Sequence, residues 1–406
     1  MQTESPIDAC ANGFTPTERG GVVVCGGGAA GIAAALAVAR HVTRVWLVES
    51  RTRIGGTVTH SLIHTLGGFF DANGELVNAG LAAKLVEALK RDSPDARMRR
   101  MGRTWVLSVA PERYQQVVEG FLAAEPRIRL LTSAMLTSVR CSSSTVYCVE
   151  GVADGKPFRI AARAVIDASG SGELVKQIDP ALVEEDHCRA AGGLIVRLNC
   201  VAPGAIESFK GLAVVRALRD AAASGKLPDT CRHAWIDQGV VNGEVYLKLF
   251  VPECRQNGDG GSQSEMPQYW QPAQTAAVDF LRTLPGFDAA RVSRVGELGV
   301  RDGGRVRGEY QLTGTDIRRA ARFDDAACRG GWPIEYWDPA RGLTLEYLPQ
   351  DHCYDIPLRS LRVRGLKNVW VAGKSLSADR LAQASARVVG TCWAMGEAAG
   401  NAAACQ

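Results

Sequence analysis

The clearest pattern of apolar and polar positions lies near the start of the chain, between residues 21 and 56. Residues 22–25 form a short apolar run rich in β-branched side chains, which is typical of a buried parallel strand. Residues 30–40 are rich in alanine and predict a helix packed on a sheet, and residues 45–48 predict a second strand that ends at Glu49. A strand, a helix and a strand in this order indicate a parallel sheet with helices on its faces.

The next part of the chain alternates between helical and strand patterns. Apolar residues recur at helical spacing over 78–91 and 113–124, which predicts two amphipathic helices. Strands are predicted at 128–131 and 136–139, at 146–150 and 158–160 as a hairpin, and at 164–166. The last of these strands ends in a turn of small residues, so we expect the chain to return there to the first sheet.

The pattern changes after about residue 176. Residues 234–241 and 244–251 flank Asn242-Gly243, the strongest short hairpin signal in the chain, and predict an antiparallel sheet with one buried face. Residues 273–284 predict a helix. The first pattern returns in an apolar strand at 368–371 and a helix rich in glycine and alanine at 388–404.

These elements predict an α/β protein with two intertwined parts. One is a Rossmann-like cofactor-binding domain with a parallel sheet and helices, and the other is an inserted α+β substrate domain with an antiparallel sheet. The predicted boundaries are a flexible tail at 1–18, the cofactor-binding domain at 19–95, 126–175 and 355–406, and the substrate domain at 96–125 and 176–354.

Composition and charge narrow the range of partners. The 406 residues are 46% hydrophobic and 22% charged, and the net charge of +4 is spread along the chain, so no nucleic-acid partner is expected. Apolar runs are too short to span a membrane, and residues 1–18 lack the apolar stretch of a signal peptide. The twelve cysteines occur singly, without a C-x-x-C pair, so neither disulfides nor a metal site is predicted. A reducing cytoplasm is the expected setting.

The chemistry begins with the glycines of the first strand–helix turn. Gly26, Gly28 and Gly31 form G-x-G-x-x-G, in which the glycines permit a tight turn, close approach of a pyrophosphate and close packing of helix on strand. Glu49 follows Gly31 by 18 residues, near the separation expected for a carboxylate that accepts the hydroxyls of a ribose. A carboxylate there would repel a 2′-phosphate, so the motif predicts a dinucleotide other than NADP.

Further segments carry a family resemblance that covers about residues 20–405. They are GGGAAG with Glu49, IGGTVT (54–59), AVIDASGSGEL (164–174), RVRGEYQLTGTDIRRAARFDDAACRGGWPIEYWDP (305–339), YDIPLRSL (354–361) and the stretch from NVWVAGK (368–374) to the C-terminal helix. With these, the chain resembles the FAD-dependent oxidoreductases of glutathione-reductase-like fold, and most of all the broad bacterial group distantly related to fumarate reductase flavoproteins.

The resemblance implies FAD as the cofactor and supplies its contacts by position. The pyrophosphate and ribose would meet the glycine motif with Ala30, Glu49 and Ser50, and a second contact would come from Gly55, Gly56 and Thr57. Met135 stands where the family offers backbone to the adenine. The remaining contacts would come from Ala168, Ser169, Gly170, Gly373, Gly390, Thr391 and Cys392. The chain departs from many flavoproteins at Lys374, where they carry an acid.

Substrate handling is assigned to polar residues near the predicted cofactor. His64, His352, Tyr354 and Arg387 are the catalytic candidates, with Arg305 and Arg359 as further candidates. His60 or His64 would contact the flavin ring or attach to it covalently, or serve as structural histidines. Trp332, Tyr336 and Trp337 would line an aromatic pocket or belong to the core.

The predicted function is a dehydrogenase or oxidase that transfers a hydride between a small organic substrate and FAD. A monooxygenase is the first alternative, and a tRNA-modifying or non-catalytic FAD-fold protein is the second. No second G-x-G-x-x-G with a strand and an acid occurs, so a separate nicotinamide domain is not expected. The oligomeric state stays open.

Overall fold

A seven-stranded sheet forms the centre of the first lobe in a computed structural model that describes residues 21–186, 189–207, 209–252, 266–349 and 353–406. Its strands are β1 (Gly21–Cys25), β2 (Val45–Val48), β6 (Ile128–Leu131), β7 (Ala134–Ser142), β8 (Thr145–Ala153), β9 (Lys156–Asp167) and β20 (Val369–Val371). Strands β6-β2-β1-β9-β20 run parallel in that order, and β8 and β7 extend β9 as an antiparallel hairpin pair.

The remaining strands form smaller sheets. They are β3 (Thr65–Leu66), β4 (Arg97–Met101), β5 (Thr104–Ser108), β10 (Val183–Glu184), β11 (Gly192–Asn199), β12 (Trp235–Gln238), β13 (Val245–Val251), β14 (Arg291–Val295), β15 (Arg305–Val306), β16 (Ala326–Gly330), β17 (Ile334–Asp338), β18 (Gly342–Glu346) and β19 (Tyr354–Pro357). The sheets pair in the orders β3-β5-β4, β10-β15, β12-β13-β11-β14, β16-β19 and β17-β18.

Ten α-helices accompany these sheets in the described ranges. They are α1 (Ala29–Ala39), α2 (Gly56–His60), α3 (Leu81–Asp92), α4 (Pro111–Ala123), α5 (Glu173–Ile178), α6 (Phe209–Ala223), α7 (Met266–Arg282), α8 (Gly314–Arg318), α9 (Arg380–Ala386) and α10 (Val389–Ala404). No helix among them is both long enough and apolar enough to cross a membrane.

The strands predicted at 158–160 and 164–166 are parts of a single long strand. β9 runs unbroken over twelve residues, pairing first with β8 and then with β1 and β20. The turn before it uses Asp154 and Gly155, whose φ angles are 48° and 75°, as the sequence around residues 153–156 predicts. The separate strand expected at 164–166 is thus the buried end of β9, because strand pairing continues past the polar residues at its middle.

The second lobe is built on the four-stranded antiparallel sheet. β12 and β13 pair on either side of the Asn242-Gly243 turn, which confirms the predicted hairpin, although β12 is shorter than expected. Val245, Leu247, Leu249 and Val251 are all buried in one apolar cluster together with residues of α6 and α7. The opposite face of this sheet turns toward the first lobe, where Ile195 and Tyr246 pack on Leu62.

Two helices remote in sequence meet through small residues. A Cβ on Gly396 of α10 would lie 2.1 Å from the carbonyl oxygen of Ala30, and one on Gly400 would lie 2.6 Å from that of Ala34. The backbones of α1 and α10 therefore approach closely, which side chains larger than glycine would prevent.

The cysteines follow the sequence prediction only in part. Eight of them in the described ranges are free, but Cys148 is disulfide-bonded, so the prediction of unpaired thiols is wrong at that position. Spacing along the chain does not show which thiols the fold brings within bonding distance, which is why the sequence missed it.

Candidate functional site

The glycine motif forms the tight turn that the sequence predicts. Gly26 has a φ of 106°, and a Cβ there would lie 2.4 Å from the carbonyl oxygen of Ala168. A Cβ on Gly31 would lie 1.7 Å from the carbonyl oxygen of Gly26. Neither neighbour is a flexible side chain, so the turn between β1 and α1 accepts only glycine at these two positions.

Among the described residues, no side chain caps the N-terminus of α1. Gly28 is its N-cap residue, and the first turn carries no acid. A Cβ on Gly28 would meet only the Cα of Gly56, at 3.8 Å, and the Gly55 N–H donates to the carbonyl of Gly27 at 2.8 Å. The two glycine loops thus form an open cradle at a helix end whose N–H groups suit a pyrophosphate.

Glu49 closes one end of this cradle. Its Oε2 accepts the Gly27 N–H at 2.6 Å, and its Oε1 accepts the Arg51 N–H at 2.8 Å and the Ser50 hydroxyl at 3.2 Å. The Ala134 N–H donates to the Glu49 carbonyl at 3.0 Å, which brings β7 alongside. Met135 follows at that edge with its side chain 64% exposed, so any contact of its backbone with an adenine stays a prediction.

The third predicted turn, after β9, contacts the first. The Ala168 N–H donates to the Cys25 carbonyl at 2.8 Å. The Ser169 hydroxyl donates to Asp167 at 2.6 Å and accepts the Glu173 N–H at 3.0 Å, so it holds the turn rather than facing the cradle. Burial raises the pKa of Asp167, against the hydrogen bonds that it accepts. Gly170, with a φ of 81°, packs on the stem of Lys374.

The C-terminal residues complete the groove. Gly373 has a φ of 82°, and a Cβ there would lie 3.0 Å from Ala30 and 3.8 Å from the Cys392 sulfur. The Gly390 N–H donates to the Gly67 carbonyl at 2.9 Å, and no side chain caps the start of α10. The buried hydroxyl of Thr391 has no hydrogen-bond partner in the described part of the protein. Burial raises the pKa of the Cys392 thiol to about 12, so it is a neutral group.

Three of the four catalytic candidates can be placed in the structure. His64 is fully buried and stacks on Tyr246 with ring centroids 3.7 Å apart; burial, with Lys248 next, lowers its pKa well below the usual value. Tyr354 is also fully buried, and its hydroxyl bonds to that of Ser385 at 2.8 Å. Burial raises the pKa of Tyr354. His352 lies outside the described residues.

The other arginine candidates are engaged in ion pairs. Arg305 is 3% exposed and bonds Asp186 and Glu184, and Arg359 bonds Asp325. Neither faces the glycine-lined groove through a free guanidinium, because both are already paired with carboxylates. The side chain of His60 bonds the Arg53 carbonyl at 2.9 Å and lies 3.3 Å from Glu297.

Arg387 belongs to a cluster that the sequence did not predict. Its Nη2 donates to the Glu335 carbonyl at 3.1 Å, and the Glu335 carboxylate accepts the indole N–H groups of Trp332 and Trp337 at 2.8 and 2.7 Å. Burial would raise the pKa of Glu335, but Arg387 and the two indoles hold it below its usual value. Trp332 and Trp337, for which an aromatic pocket and plain core were the two alternatives, are thus part of a polar cluster centred on the Glu335 carboxylate.

This cluster borders the loop that meets α10. A Cβ on Gly67 would lie 2.6 Å from the Trp332 ring, and one on Gly68 would lie 2.9 Å from the Thr391 hydroxyl. Gly67 thus contacts the Glu335 cluster through Trp332, and Gly68 contacts the start of α10. The only sequence signal for Glu335 was its place between tryptophans.

The family description "FAD dependent oxidoreductase" matches the sequence over residues 21–197 and 214–406. The chain belongs to this family of FAD-dependent oxidoreductases. FAD is therefore its cofactor, and the open cradle, the two uncapped helix ends and the unpartnered Thr391 hydroxyl fit that group. A search of curated proteins finds no matching sequence.

Solved structures similar to this FAD-dependent oxidoreductase are distant in sequence. A geranylgeranyl bacteriochlorophyll reductase-like protein from Thermoplasma acidophilum is 11% identical, with a TM-score of 0.49 over 94% of this chain and 76% of its own. A flavoprotein/dehydrogenase from Cytophaga hutchinsonii is 12% identical, with a TM-score of 0.48 over 94% and 77%. The p-nitrophenol 4-monooxygenase PnpA from Pseudomonas putida is 14% identical, with a TM-score of 0.39 over 72% and 70%.

Proposed function

We propose that this flavoprotein is a dehydrogenase or oxidase that transfers a hydride between a small organic substrate and FAD. One observation carries the proposal. The start of α10, which no described side chain caps, and the Thr391 hydroxyl stand directly against Gly67-Gly68; Trp332 of the Glu335 cluster packs on Gly67, and Arg387 lies two residues before α10. A reactive ring placed there would have a helix N-terminus at one edge and a polar wall beside it.

FAD, when bound, supplies the electron-pair chemistry of the reaction. The start of α10 contributes N–H groups and a partial positive charge, which favour negative charge on a group bound beside them. Glu335 stays ionised and fixes the indoles of Trp332 and Trp337, so the wall keeps one shape. Arg387 places a permanent cation at the same wall, where it would orient an anionic or strongly polar substrate.

The decisive experiment mixes the purified yellow protein with a panel of metabolites without oxygen. Loss of flavin absorbance with an organic metabolite, and its return with air or a dye, is the expected result. Loss of absorbance only with NADH or NADPH would contradict the proposal and favour the monooxygenase. A colourless protein that takes up no FAD would favour a non-catalytic role, and RNA binding that weakens with salt would favour a tRNA-modifying role. The cytoplasmic setting stays a prediction from the sequence.

Variants at the wall test the substrate side of the proposal. Arg387→Gln and Glu335→Gln should keep normal flavin content but slow bleaching by substrate at least about tenfold, because a charge-assisted contact or its support is lost. Arg129→Gln, an exposed arginine on β6, is the matched control and should bleach at the wild-type rate. Unchanged flavin content together with unchanged turnover in Arg387→Gln would remove its proposed role.

A further inference from the structure

A cavity of about 400 Å³ lies at the free edge of β12, apart from the groove described above. None of the residues that line it belongs to the glycine-lined groove. Its charged floor is formed by Arg99 and Asp237, and its walls include Ile206, Leu212, Val215 and Trp235. The volume is within the range of small-molecule sites.

The floor of the cavity holds a carboxylate that is already satisfied. Asp237 Oδ2 accepts from Lys248 Nζ at 2.5 Å, and Oδ1 accepts the Trp235 indole N–H at 3.1 Å. Burial would raise the pKa of Asp237, but Lys248 and its other neighbours lower it to about 2. Asp237 is therefore ionised at neutral pH, with Lys248 at 2.5 Å and Arg99 at 3.7 Å from it.

Arg99 is a second cation beside the Asp237 carboxylate, which it shares with Lys248. Its Nη2 is 3.7 Å from Asp237, too far for a hydrogen bond, and its Nε and Nη2 are buried without any hydrogen-bond partner in the described residues. The side chain is 23% exposed, and burial lowers the pKa of Arg99. Because Nε and Nη2 are shielded from solvent, an anion in the cavity would meet the exposed part of this side chain and balance the positive charge of the floor.

The other charged groups near the floor of the cavity do not add a second carboxylate to balance Arg99. His64 is uncharged behind Lys248, and Arg97 adds a further cation, bonded to the Gly239 carbonyl. Glu207 is exposed at the rim, where solvent screens its charge. The more distant Arg197 is balanced by Glu112 and Glu244.

The side chains of the cavity walls indicate the chemical character of the rest of the ligand. Leu212 and Trp235 are 54% and 39% exposed at the opening, and Val215 lies deeper beside them. From this combination we propose that the cavity binds an organic carboxylate with an apolar body, its carboxylate on Arg99 and its body between α6 and Trp235. The site does not depend on the reaction proposed for FAD.

Binding is tested on the FAD-loaded protein with benzoate and hexanoate, and with the neutral benzamide and hexanamide as matched ligands. We expect saturable quenching of tryptophan fluorescence by the two carboxylates below about 20 mM, and at least tenfold weaker quenching by the two amides. Trp235→Phe should abolish the quenching while equilibrium dialysis still detects the bound acid, which assigns the signal to this cavity.

Variants of Arg99 and of its neighbour Arg100 on β4 distinguish loss of this binding site from a general effect of removing a surface charge. Arg99→Gln should weaken benzoate binding at least about tenfold, and Arg99→Lys should recover part of it, because a cation is restored without the bidentate fork. Arg100→Gln lies on the opposite face of β4 and should bind like the wild type. Glu207→Gln removes the rim charge and should tighten binding a few-fold.

Two results would overturn this proposal. One is equal binding of benzoate and benzamide, or no saturable binding of either acid. The other is unchanged benzoate binding in Arg99→Gln, with its unfolding temperature showing that the variant is folded. If Arg99→Gln does not fold, Arg99→Lys decides the matter, since it keeps the cation but loses the bidentate fork, and benzoate binding equal to that of the wild type would overturn the proposal. Flavin bleaching by substrate is recorded in parallel, and its outcome has no bearing on this site.

Discussion

Two glycines of the cofactor groove differ in the atoms that an added Cβ would contact. At Gly28 there is open space up to the Cα of Gly56, whereas at Gly31 the nearest atom is a backbone oxygen 1.7 Å away. The first is a position where a ligand approaches, and the second is one where protein packs on protein. The same motif therefore contains one glycine kept open toward a phosphate and another required by the fold.

Gly31→Ala should destabilise the protein by about 3 kcal/mol and remove most of the bound FAD, because the new methyl group forces the β1–α1 turn to move. Urea unfolding and the ratio of flavin to protein absorbance measure the two effects. Gly120→Ala, in α4 with nothing within 4 Å, is the control and should stabilise by about 0.5–1 kcal/mol. Normal flavin content in Gly31→Ala would show that the turn can adjust.

At the scale of elements, two contacts hold the C-terminal segment to the rest. α10 lies on α1 through Gly396 and Gly400, and α9 is tied to the β10–β15 pair through Asp186, which bonds both Arg380 and Arg305. The first contact is steric and the second is electrostatic, so they respond to different changes.

Gly396→Ala should lower stability by about 2–3 kcal/mol, since a Cβ would lie 2.1 Å from the Ala30 carbonyl oxygen and the helices would have to separate. Flavin content should fall with it, because both helices start at the groove. Thermal unfolding and flavin absorbance measure the effects. Ala398→Ser on the same helix, at a half-buried position, should leave both unchanged. A stable Gly396→Ala that has lost FAD would contradict the steric explanation.

Asp186 makes stability depend on pH in a defined direction. Burial would raise its pKa, but hydrogen bonds from Arg305 and Arg380 lower it from 3.8 to about 2. Since the unfolded chain binds the proton first as the pH falls, the stabilisation is complete above about pH 4 and is lost between about pH 4 and 2. Asp186→Asn should therefore cost about 2 kcal/mol at pH 7 and roughly half as much at pH 3. Urea unfolding at both pH values checks this, and an equal cost at both would contradict it.

At the scale of the whole molecule, bound FAD should stabilise the folded state, because it would contact segments that are far apart in sequence. The groove is assembled from residues 26–31, 49–57, 168–170, 373 and 390–392, so a ligand that contacts all of them binds only the folded chain. The second lobe reaches the same region through Gly296, Gly299 and Gly303, which pack against Ser61 and Gly170.

Removal of FAD should lower the unfolding temperature, and FAD at a hundredfold excess over its Kd should restore about 2.7 kcal/mol of stability. FMN should restore much less, because it lacks the adenosine whose ribose would meet Glu49. Differential scanning calorimetry of the stripped protein with each flavin is the measurement. Equal recovery with FMN would mean that Glu49 and the adjoining loops do not hold the adenosine half.

The sequence alone determined the features that depend on neighbours close along the chain. The order of strand, glycine turn, helix and strand, the acid at Glu49 and the hairpin at Asn242-Gly243 follow from backbone requirements and from apolar periodicity, which are local. The family resemblance rested on these same local segments, and the family match and the fold confirm it.

Only the tertiary structure decided which polar side chains are available for chemistry. His64 and Tyr354 read as catalytic candidates, yet the fold buries both, and Arg305 is committed to two carboxylates. Arg99 carried no signal, and Glu335 carried only its place between tryptophans, because the contacts with Arg387 and the cavity beside Arg99 involve residues more than 50 positions away in sequence. The pKa and the reach of a side chain depend on burial and on such distant neighbours, and these exist only once the chain has folded.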